Sequence, residues 1–200
     1  KNISNVNPIS RSYFKLHEII QDFNIHNFHL SSCIAEGPGG FINCLIDHKV
    51  KEVHGITLLT NDKKIPYWNN NLIKNDNIHI NTNQNTGNIY MKDIAIEFIS
   101  IIHSKGLSNF VTSDGGFDYS NDFNKQEISS YKLLFSEIFI ALNIQQEGGS
   151  FIIKFFDIFY HKTIQLLYLL YLSYEEVYIY KPTISRLSNS EKYIVCKGYK

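Results

Sequence analysis

The sequence predicts a single α/β domain in which helices cover both faces of a parallel β-sheet. Short apolar runs alternate along the chain with segments whose apolar residues recur at helical spacing, as in repeated strand–helix units. Glycine pairs follow two of the apolar runs, where the carboxyl ends of parallel strands open a crevice for ligands. With 200 residues, 44% of them hydrophobic, the chain can bury roughly 70% of its unfolded surface. A peptide, a coiled coil and a disordered tail are therefore excluded.

The individual elements follow from the spacing of apolar residues. Phe14, Leu16 and Ile19 begin a helical pattern, and Ser10 is its predicted N-cap. Helices are predicted at 11–23, 40–48, 89–103, 125–143 and 159–171. Strands are predicted at 29–35, 52–58, 78–80, 110–113, 151–156, 177–180 and 193–196. Apart from the strand at 78–80, the polar segment 63–88 is interpreted as irregular connection.

Charge and cysteine content restrict the class of protein. The 19 basic and 19 acidic residues balance, so contact with nucleic acid requires a local basic face. Cys33, Cys44 and Cys196 show neither CxxC spacing nor an even count, which favours a reducing compartment over disulfides or a zinc site. We interpret all three as buried small hydrophobic residues.

The most apolar stretch, 164–174, is about half the ~20 residues that a membrane-spanning helix needs. We therefore expect a soluble protein with no membrane partner. The chain begins with Lys1 rather than Met, and we expect its residues 1–200 to be one domain of a longer protein.

The first strand ends in a glycine-rich segment, "CIAEGPGGF", at 33–41. Its three glycines would let the backbone approach a ligand closely, and a helix follows at once. The third spaced glycine of the dinucleotide fingerprint is missing, and no Gly-Lys-Ser/Thr follows as in a P-loop. The segment is a candidate nucleotide-type loop, with a plain tight turn as the alternative.

Charged residues stand at or near three further strand ends. Asp114 closes the fourth strand in "VTSDGG", where an acid can face a ligand or form an Asp-Gly turn. Lys154 lies within "FIIKFF", so its amine must either reach solvent or serve a function. Glu191 precedes the last strand and, taken alone, would be read as a solvated residue.

Together these segments resemble the FtsJ-like ribose 2'-O-methyltransferases, most closely the mRNA cap-specific members of eukaryotes and large DNA viruses. The matching pieces are "FKLHEI", "AEGPGGF", "GITL", "TSDGGFDYSNDFNKQE", "GGSFIIKFFD" and "KPTISRLSNSEKYIVC". The resemblance implies a Rossmann-like, S-adenosylmethionine-dependent methyltransferase fold with a mostly parallel seven-stranded sheet. It also implies a catalytic Lys-Asp-Lys-Glu tetrad, here Lys15, Asp114, Lys154 and Glu191.

The same resemblance implies the binding residues. The methyl donor S-adenosyl-L-methionine is expected along Ala35, Glu36, Gly37, Pro38, Gly39, Gly40 and Phe41, with Thr57 near its ribose, Asn88 and Ile89 near its adenine, and Asp114 beside it. Family members usually carry acids where this chain has Cys33 and Asn88, so we expect Glu36 and the Asn88 amide to supply hydrogen bonds instead. The RNA is expected at Asn124, Lys125, Gln126 and Asn189, with Arg11 and Arg186 near its backbone.

The implied reaction moves a methyl group from a sulfonium to a ribose hydroxyl, which needs a base for the hydroxyl proton. We assign Lys154 as that base, Asp114 and Lys15 as the residues that orient and tune it, and Glu191 as the partner of one lysine. A lysine pKa is ordinarily about 10.4, whereas a base useful near neutral pH needs about 7 to 8. We expect Lys15 and the donor's positive sulfur to lower the pKa of Lys154. No metal is expected.

The predicted function is methylation of the 5' end of capped mRNA, with other capping-enzyme domains or subunits as candidate partners. One alternative is a ribosomal or transfer RNA ribose methyltransferase. Another is an inactive RNA-binding or donor-binding module of a capping assembly. The expected location is intracellular, in the cytoplasm, a viral replication compartment or the nucleus.

Overall fold

A seven-stranded sheet forms the centre of the protein, with helices on both faces. The computed structural model describes residues 7–62, 65–81, 86–116, 126–186 and 188–200. The helices are α1 (Ser12–Asp22), α2 (Gly40–Asp47), α3 (Asn70–Ile73), α4 (Lys92–Lys105), α5 (Gln126–Ile144) and α6 (His161–Ser173). The strands are β1 (Leu30–Ile34), β2 (Glu52–Ile56), β3 (Ile78–Asn81), β4 (Ser108–Ser113), β5 (Gln145–Phe155), β6 (Tyr174–Tyr180) and β7 (Lys192–Tyr199).

The strand order is β3-β2-β1-β4-β5-β7-β6. The first five strands in that order pair in parallel, and β7 runs antiparallel to both of its neighbours. This confirms the predicted α/β class and the mostly parallel seven-stranded sheet.

The sheet changes direction of growth between β1 and β4. The chain adds β2 and β3 on one side of β1 and then crosses to place β4 on its other side. Ile34 pairs with Ser113 across these two strands, so Ala35 and Asp114 leave adjacent strand ends. Ligands of open α/β sheets bind in the crevice at such a switch point.

The core consists of two apolar layers, one on each face of the sheet. Buried side chains of α4, α5 and α6 pack against one face, and those of α1, α2 and α3 pack against the other. β1 illustrates the arrangement, because every one of its residues is buried. Ile34 belongs to the first layer and its neighbour Cys33 to the second.

The prediction that 63–88 is irregular apart from 78–80 was wrong in the described part of that segment. Asn69 caps the short helix α3 by accepting a hydrogen bond from the Asn71 N–H. Trp68 and Leu72 are buried against the glycine-rich segment, where a Cβ on Gly39 would lie 2.1 Å from Leu72 Cδ1. These two apolar side chains give the polar segment a face to bury, and so it folds onto the domain.

The predicted N-cap was also wrong. The helix begins at Ser12 with Arg11 at the capping position, and no side chain caps its first turn. The Ser10 hydroxyl instead pairs with the Ser12 hydroxyl at 2.5 Å. The first-turn N–H of Tyr13 donates to the Ser10 backbone carbonyl.

The three cysteines are fully buried and free, as predicted. Among the described residues, no helix combines the length and hydropathy needed to cross a membrane.

The packing of α4 predicts that replacing a buried and an exposed phenylalanine will change the free energy of unfolding by different amounts. Phe98 is fully buried in α4, so Phe98→Ala should lower the free energy of unfolding by about 3–5 kcal/mol. Phe159 is 85% exposed, and Phe159→Ala should change that free energy by less than about 0.5 kcal/mol. Urea denaturation of both variants tests this. Equal midpoints would contradict the assigned position of α4.

Candidate active site

A cavity of about 650 Å³ opens at the carboxyl edge of the sheet, next to the switch point. Its size lies within the roughly 300–1,000 Å³ typical of small-molecule sites. Ten residues that the sequence assigned to the donor, the reaction or the RNA line it: Ala35, Gly37, Pro38, Thr57, Asn88, Ile89, Asp114, Gln126, Lys154 and Glu191. The structure therefore brings three of the four tetrad residues and most of the proposed donor-binding residues to one cavity, while Lys15 lies outside its lining.

Two ion pairs organise the reacting end of this cavity. Lys154 Nζ lies 3.2 Å from Asp114 Oδ1 and donates a 2.8 Å hydrogen bond to the Asp114 carbonyl. Lys15 Nζ lies 2.7 Å from Glu191 Oε1. All four side chains are between 10% and 17% exposed, so these pairs are partly shielded from water. Glu191 holds Lys15, which is one of the two lysines allowed by the sequence interpretation.

Neighbouring hydroxyl groups fix the two carboxylates. The Tyr193 hydroxyl donates to Asp114 Oδ1 at 2.8 Å, and the Ser185 hydroxyl donates to Glu191 Oε1 at 3.2 Å. Tyr193 stands opposite Lys154 in the antiparallel register of β5 and β7. Each carboxylate thus has both a lysine and a hydroxyl partner.

The expected lowering of the Lys154 pKa does not hold in the protein alone. Burial lowers that pKa, but the negative charges of Asp114, Glu191 and Glu137 outweigh burial and raise it above the ordinary lysine value. Lys15 cannot act as a strong opposing charge, because Glu191 neutralises it at 2.7 Å. Lys154 is therefore an ammonium group in the structure described here.

Within the glycine-rich segment, some predicted donor residues serve the fold rather than the cavity. The Glu36 carboxylate is 2% exposed and accepts hydrogen bonds from the Phe41 and Ile42 N–H groups. It caps α2 and does not line the cavity, so its contact with the donor stays a prediction. Phe41 is fully buried, and Gly39 has a φ of 108°. Gly39 is thus required by the backbone and by Leu72 packing.

The cavity-facing part of this segment is held by Thr57. Its hydroxyl accepts a 3.2 Å hydrogen bond from the Gly37 N–H. Gly40 is outside the cavity lining, and a Cβ there would meet the Ser10 and Ser12 hydroxyls. The Asn88 side-chain oxygen accepts from the Tyr90 N–H at 3.0 Å. The Asn88 side-chain oxygen therefore stabilises the backbone turn at residues 88–90.

The residues assigned to RNA are more scattered. Gln126 lines the cavity, where its side-chain oxygen accepts from the Ser190 hydroxyl. Arg11 and Arg186 are exposed, outside the cavity lining. Asn189 is also exposed, and both of its oxygens accept from the Lys181 amine.

Two of the predicted RNA contacts, Asn124 and Lys125, lie outside the described residues. Their neighbour Glu127 accepts from the Phe159 and Tyr160 N–H groups at the start of α6. This carboxylate therefore stabilises a helix end rather than facing the cavity.

Sequence reasoning missed two buried groups beside the tetrad. Tyr193 was hidden because its contact with Asp114 depends on strand register. Glu137 was detectable, since it stands on the apolar face of α5 together with Leu133, Leu134 and Ile138. It is 1% exposed, and burial raises its pKa to about 8. Its Oε1 lies beside Gly115, where a Cβ would come within 2.2 Å of it.

The family profile of the "FtsJ-like methyltransferase" matches residues 8–199. The chain belongs to the FtsJ-like methyltransferase family. It is 46% identical over 96 residues to the "Cap-specific mRNA (nucleoside-2'-O-)-methyltransferase 1" of Danio rerio, which covers 48% of this chain and 12% of that protein. It is 32% identical over 218 residues to the "Cap-specific mRNA (nucleoside-2'-O-)-methyltransferase 2" of Pongo abelii, covering 98% of this chain and 28% of that protein.

A solved structure with the same fold is that of a protein assigned as a ribosomal RNA methyltransferase from Plasmodium falciparum. The TM-score is 0.68 at 22% identity, over 95% of this chain and 97% of that chain. At this identity the likeness concerns the fold alone. The present chain spans about an eighth to a quarter of the curated relatives' length.

The cavity residues fit the S-adenosylmethionine that the family implies. Gly37, Gly115 and Gly116 present backbone to the cavity. A Cβ on Gly116 would lie 3.1 Å from Lys154 Nζ, so glycine keeps the space beside that amine clear. Asp114 and Glu191 also line the cavity, where each carboxylate pairs with a lysine.

Glu137 predicts how stability depends on pH. Its folded pKa of about 8 lies above the unfolded value of 4.5, so the folded state binds more protons and loses stability as pH rises between these values. Glu137→Gln cannot ionise and should gain stability relative to the wild type, by roughly 3–5 kcal/mol between pH 5 and pH 8. Urea denaturation across that range measures the difference.

The control is the exposed Glu147, whose replacement by Gln should leave the pH dependence of stability unchanged. Parallel curves for Glu137→Gln and wild type would show that the folded protein ionises Glu137 without a penalty.

Proposed function

We propose that this chain transfers a methyl group from S-adenosylmethionine to the ribose 2'-hydroxyl of a 5'-terminal nucleotide of capped mRNA. The observation that carries the proposal is Lys154 Nζ at 3.2 Å from Asp114 Oδ1 within the cavity that also holds Gly37, Thr57 and Asn88. Gln126 and Glu191 line the same cavity as this amine. Identity of 46% to a cap-specific relative over 96 residues supports the mRNA cap as the substrate class.

The proposed roles follow from the contacts. The residues that would hold the donor are Ala35, Gly37, Pro38, Thr57, Asn88 and Ile89. When bound, S-adenosylmethionine supplies a methyl group on a positively charged sulfur. Asp114 orients the Lys154 amine, and Tyr193 holds Asp114 in place. Lys154 then accepts the proton of the ribose hydroxyl, and Glu191, which lines the same cavity, holds Lys15.

The raised pKa of Lys154 adds a condition to this mechanism. An ammonium group cannot accept the hydroxyl proton, so Lys154 must first lose its own. Positive charge entering the cavity opposes the effect of Asp114, Glu191 and Glu137 and lowers the pKa of Lys154. In this proposal the base forms only after donor binding, and the protein alone keeps it protonated.

The first test compares RNA substrates. A short capped RNA should gain one methyl group on incubation with the protein and donor, as measured by mass spectrometry with nuclease mapping of the modified nucleotide. The same RNA with a 5' triphosphate should gain little or none. Equal methylation of both RNAs would contradict cap dependence and indicate that the enzyme accepts RNA in general. Donor binding without methylation of either would support a binding module.

Replacing Lys154 with arginine tests whether this residue acts as a base or only as a positive charge. Lys154→Arg should be about as slow as Lys154→Ala, some 10²–10⁴-fold below wild type, because a guanidinium keeps its proton at any usable pH. Single-turnover rates measure the loss, and calorimetry should show that Lys154→Ala retains donor binding better than activity. A Lys154→Arg rate near wild type would exclude the base role.

The two partners of the Lys15–Glu191 ion pair predict opposite shifts in the pH profile of the rate. Lys15→Met removes the partner of Glu191, so the freed carboxylate should raise the pKa of Lys154 and move the rising limb of the rate to higher pH. Glu191→Gln removes a charge that raises this pKa and should move the limb to lower pH. Single-turnover rates at saturating donor measure both.

The exposed Lys51 provides the control, since Lys51→Met should leave the rising limb where it is. Shifts of both site variants in the same direction would mean that the limb reports another group.

A further inference from the structure

Two histidines and a buried cysteine meet between α1 and α2, and none of the three lines the cavity. Cys44 and His48 are four residues apart in and just after α2, so they share one face of the helix. His17 approaches from α1, with its Nδ1 3.1 Å from His48 Nε2. The Cys44 sulfur and the two ring nitrogens all lie within 4.8 Å of one another.

We propose that His17, Cys44 and His48 form a site for a zinc-type divalent metal. A tetrahedral zinc ion with bonds of about 2.0–2.3 Å needs ligand atoms roughly 3.3–3.6 Å apart, so the three side chains need only small rotations. A thiolate with two imidazoles is the ligand set of zinc, cobalt or copper rather than magnesium or calcium. The ion takes the place of the Cys44 thiol proton, which leaves to solvent.

Partners around the three ligands suit such a site. Asp47 stands between Cys44 and His48 in sequence, and its carboxylate accepts a 2.7 Å hydrogen bond from the Tyr13 hydroxyl. Tyr13 also stacks on the His17 ring at a 9° interplanar angle. His17 is exposed, so the fourth position is open to water.

A second cluster, Glu52, His54 and His79, meets the same distance criterion. There Lys105 Nζ lies 3.4 Å from the Glu52 oxygen that faces both histidines. This ammonium group already neutralises the carboxylate and repels a cation. The cluster also contains no cysteine, which makes the two sites distinguishable by spectroscopy.

The position of the proposed site indicates a structural role. His17 follows Lys15 by two residues in α1, and α2 begins in the glycine-rich segment at Gly40. A metal bound to both helices would fasten together the elements that carry Lys15 and the donor-binding backbone. Binding would therefore stabilise the folded state whether or not methyl transfer occurs.

Cobalt binding tests the cysteine ligand directly. Adding Co²⁺ to the reduced protein should give one equivalent of tetrahedral cobalt, with d–d bands and a thiolate-to-cobalt charge-transfer band that Zn²⁺ abolishes on displacement. Cys44→Ala should lose the charge-transfer band. Cys196→Ala removes an equally buried cysteine outside the cluster and should keep it. His79→Asn, which disrupts the second cluster, should also keep it.

Thermal unfolding gives a second measurement. Zinc at about one hundred times its dissociation constant should raise the melting temperature by about 5–10 °C. The exposed His17 can be changed to Asn without disturbing the core, and His17→Asn should weaken zinc binding by more than about 10-fold. If Cys44→Ala fails to fold, the zinc affinity of His17→Asn tests the proposed site instead. No charge-transfer band in the wild type, or a band that persists in Cys44→Ala, would overturn the proposal.

Discussion

The ion pair between Lys154 and Asp114 is the interaction on which the candidate site depends. It exists because β1, β4 and β5 are parallel neighbours, which brings the ends of β4 and β5 to the same edge of the sheet. Breaking it would leave a charge among apolar residues, at a cost of several kcal/mol. The register of the central sheet therefore determines which charged groups meet in the cavity.

The surrounding groups fix the orientation of the Lys154 amine in that ion pair. Asp114 accepts from Tyr193 on β7, and its own carbonyl accepts from Lys154. A hydroxyl and an ammonium group on one carboxylate fix where the amine points. This orientation is more useful to a reaction than the energy of the pair, because a base must lie within hydrogen-bond reach of the proton it accepts.

The strand ends of the site could be predicted from the sequence, while several contacts could not. Apolar runs that stop at Asp114 and glycine pairs after two strands are local patterns, and the sheet confirms the placement they predict. The Tyr193–Asp114 bond depends on antiparallel register between distant segments, which spacing does not encode. The Glu36 carboxylate accepts from the next helix, a contact that the sequence does not encode because a short loop can turn this carboxylate either to a ligand or to the helix.

Glu137 connects the charge balance of the cavity to the chemistry. With a pKa of about 8 it is mostly neutral at pH 7, so the two lysines are balanced by their ion-pair partners, Asp114 and Glu191. A cation entering this balanced group meets no spare negative charge at pH 7. The system can respond by ionising Glu137 or by releasing the Lys154 proton, and both restore balance. Glu137 releases its proton before Lys154 does, because its pKa of about 8 lies below the raised pKa of Lys154, so the first response to a bound cation is the ionisation of Glu137.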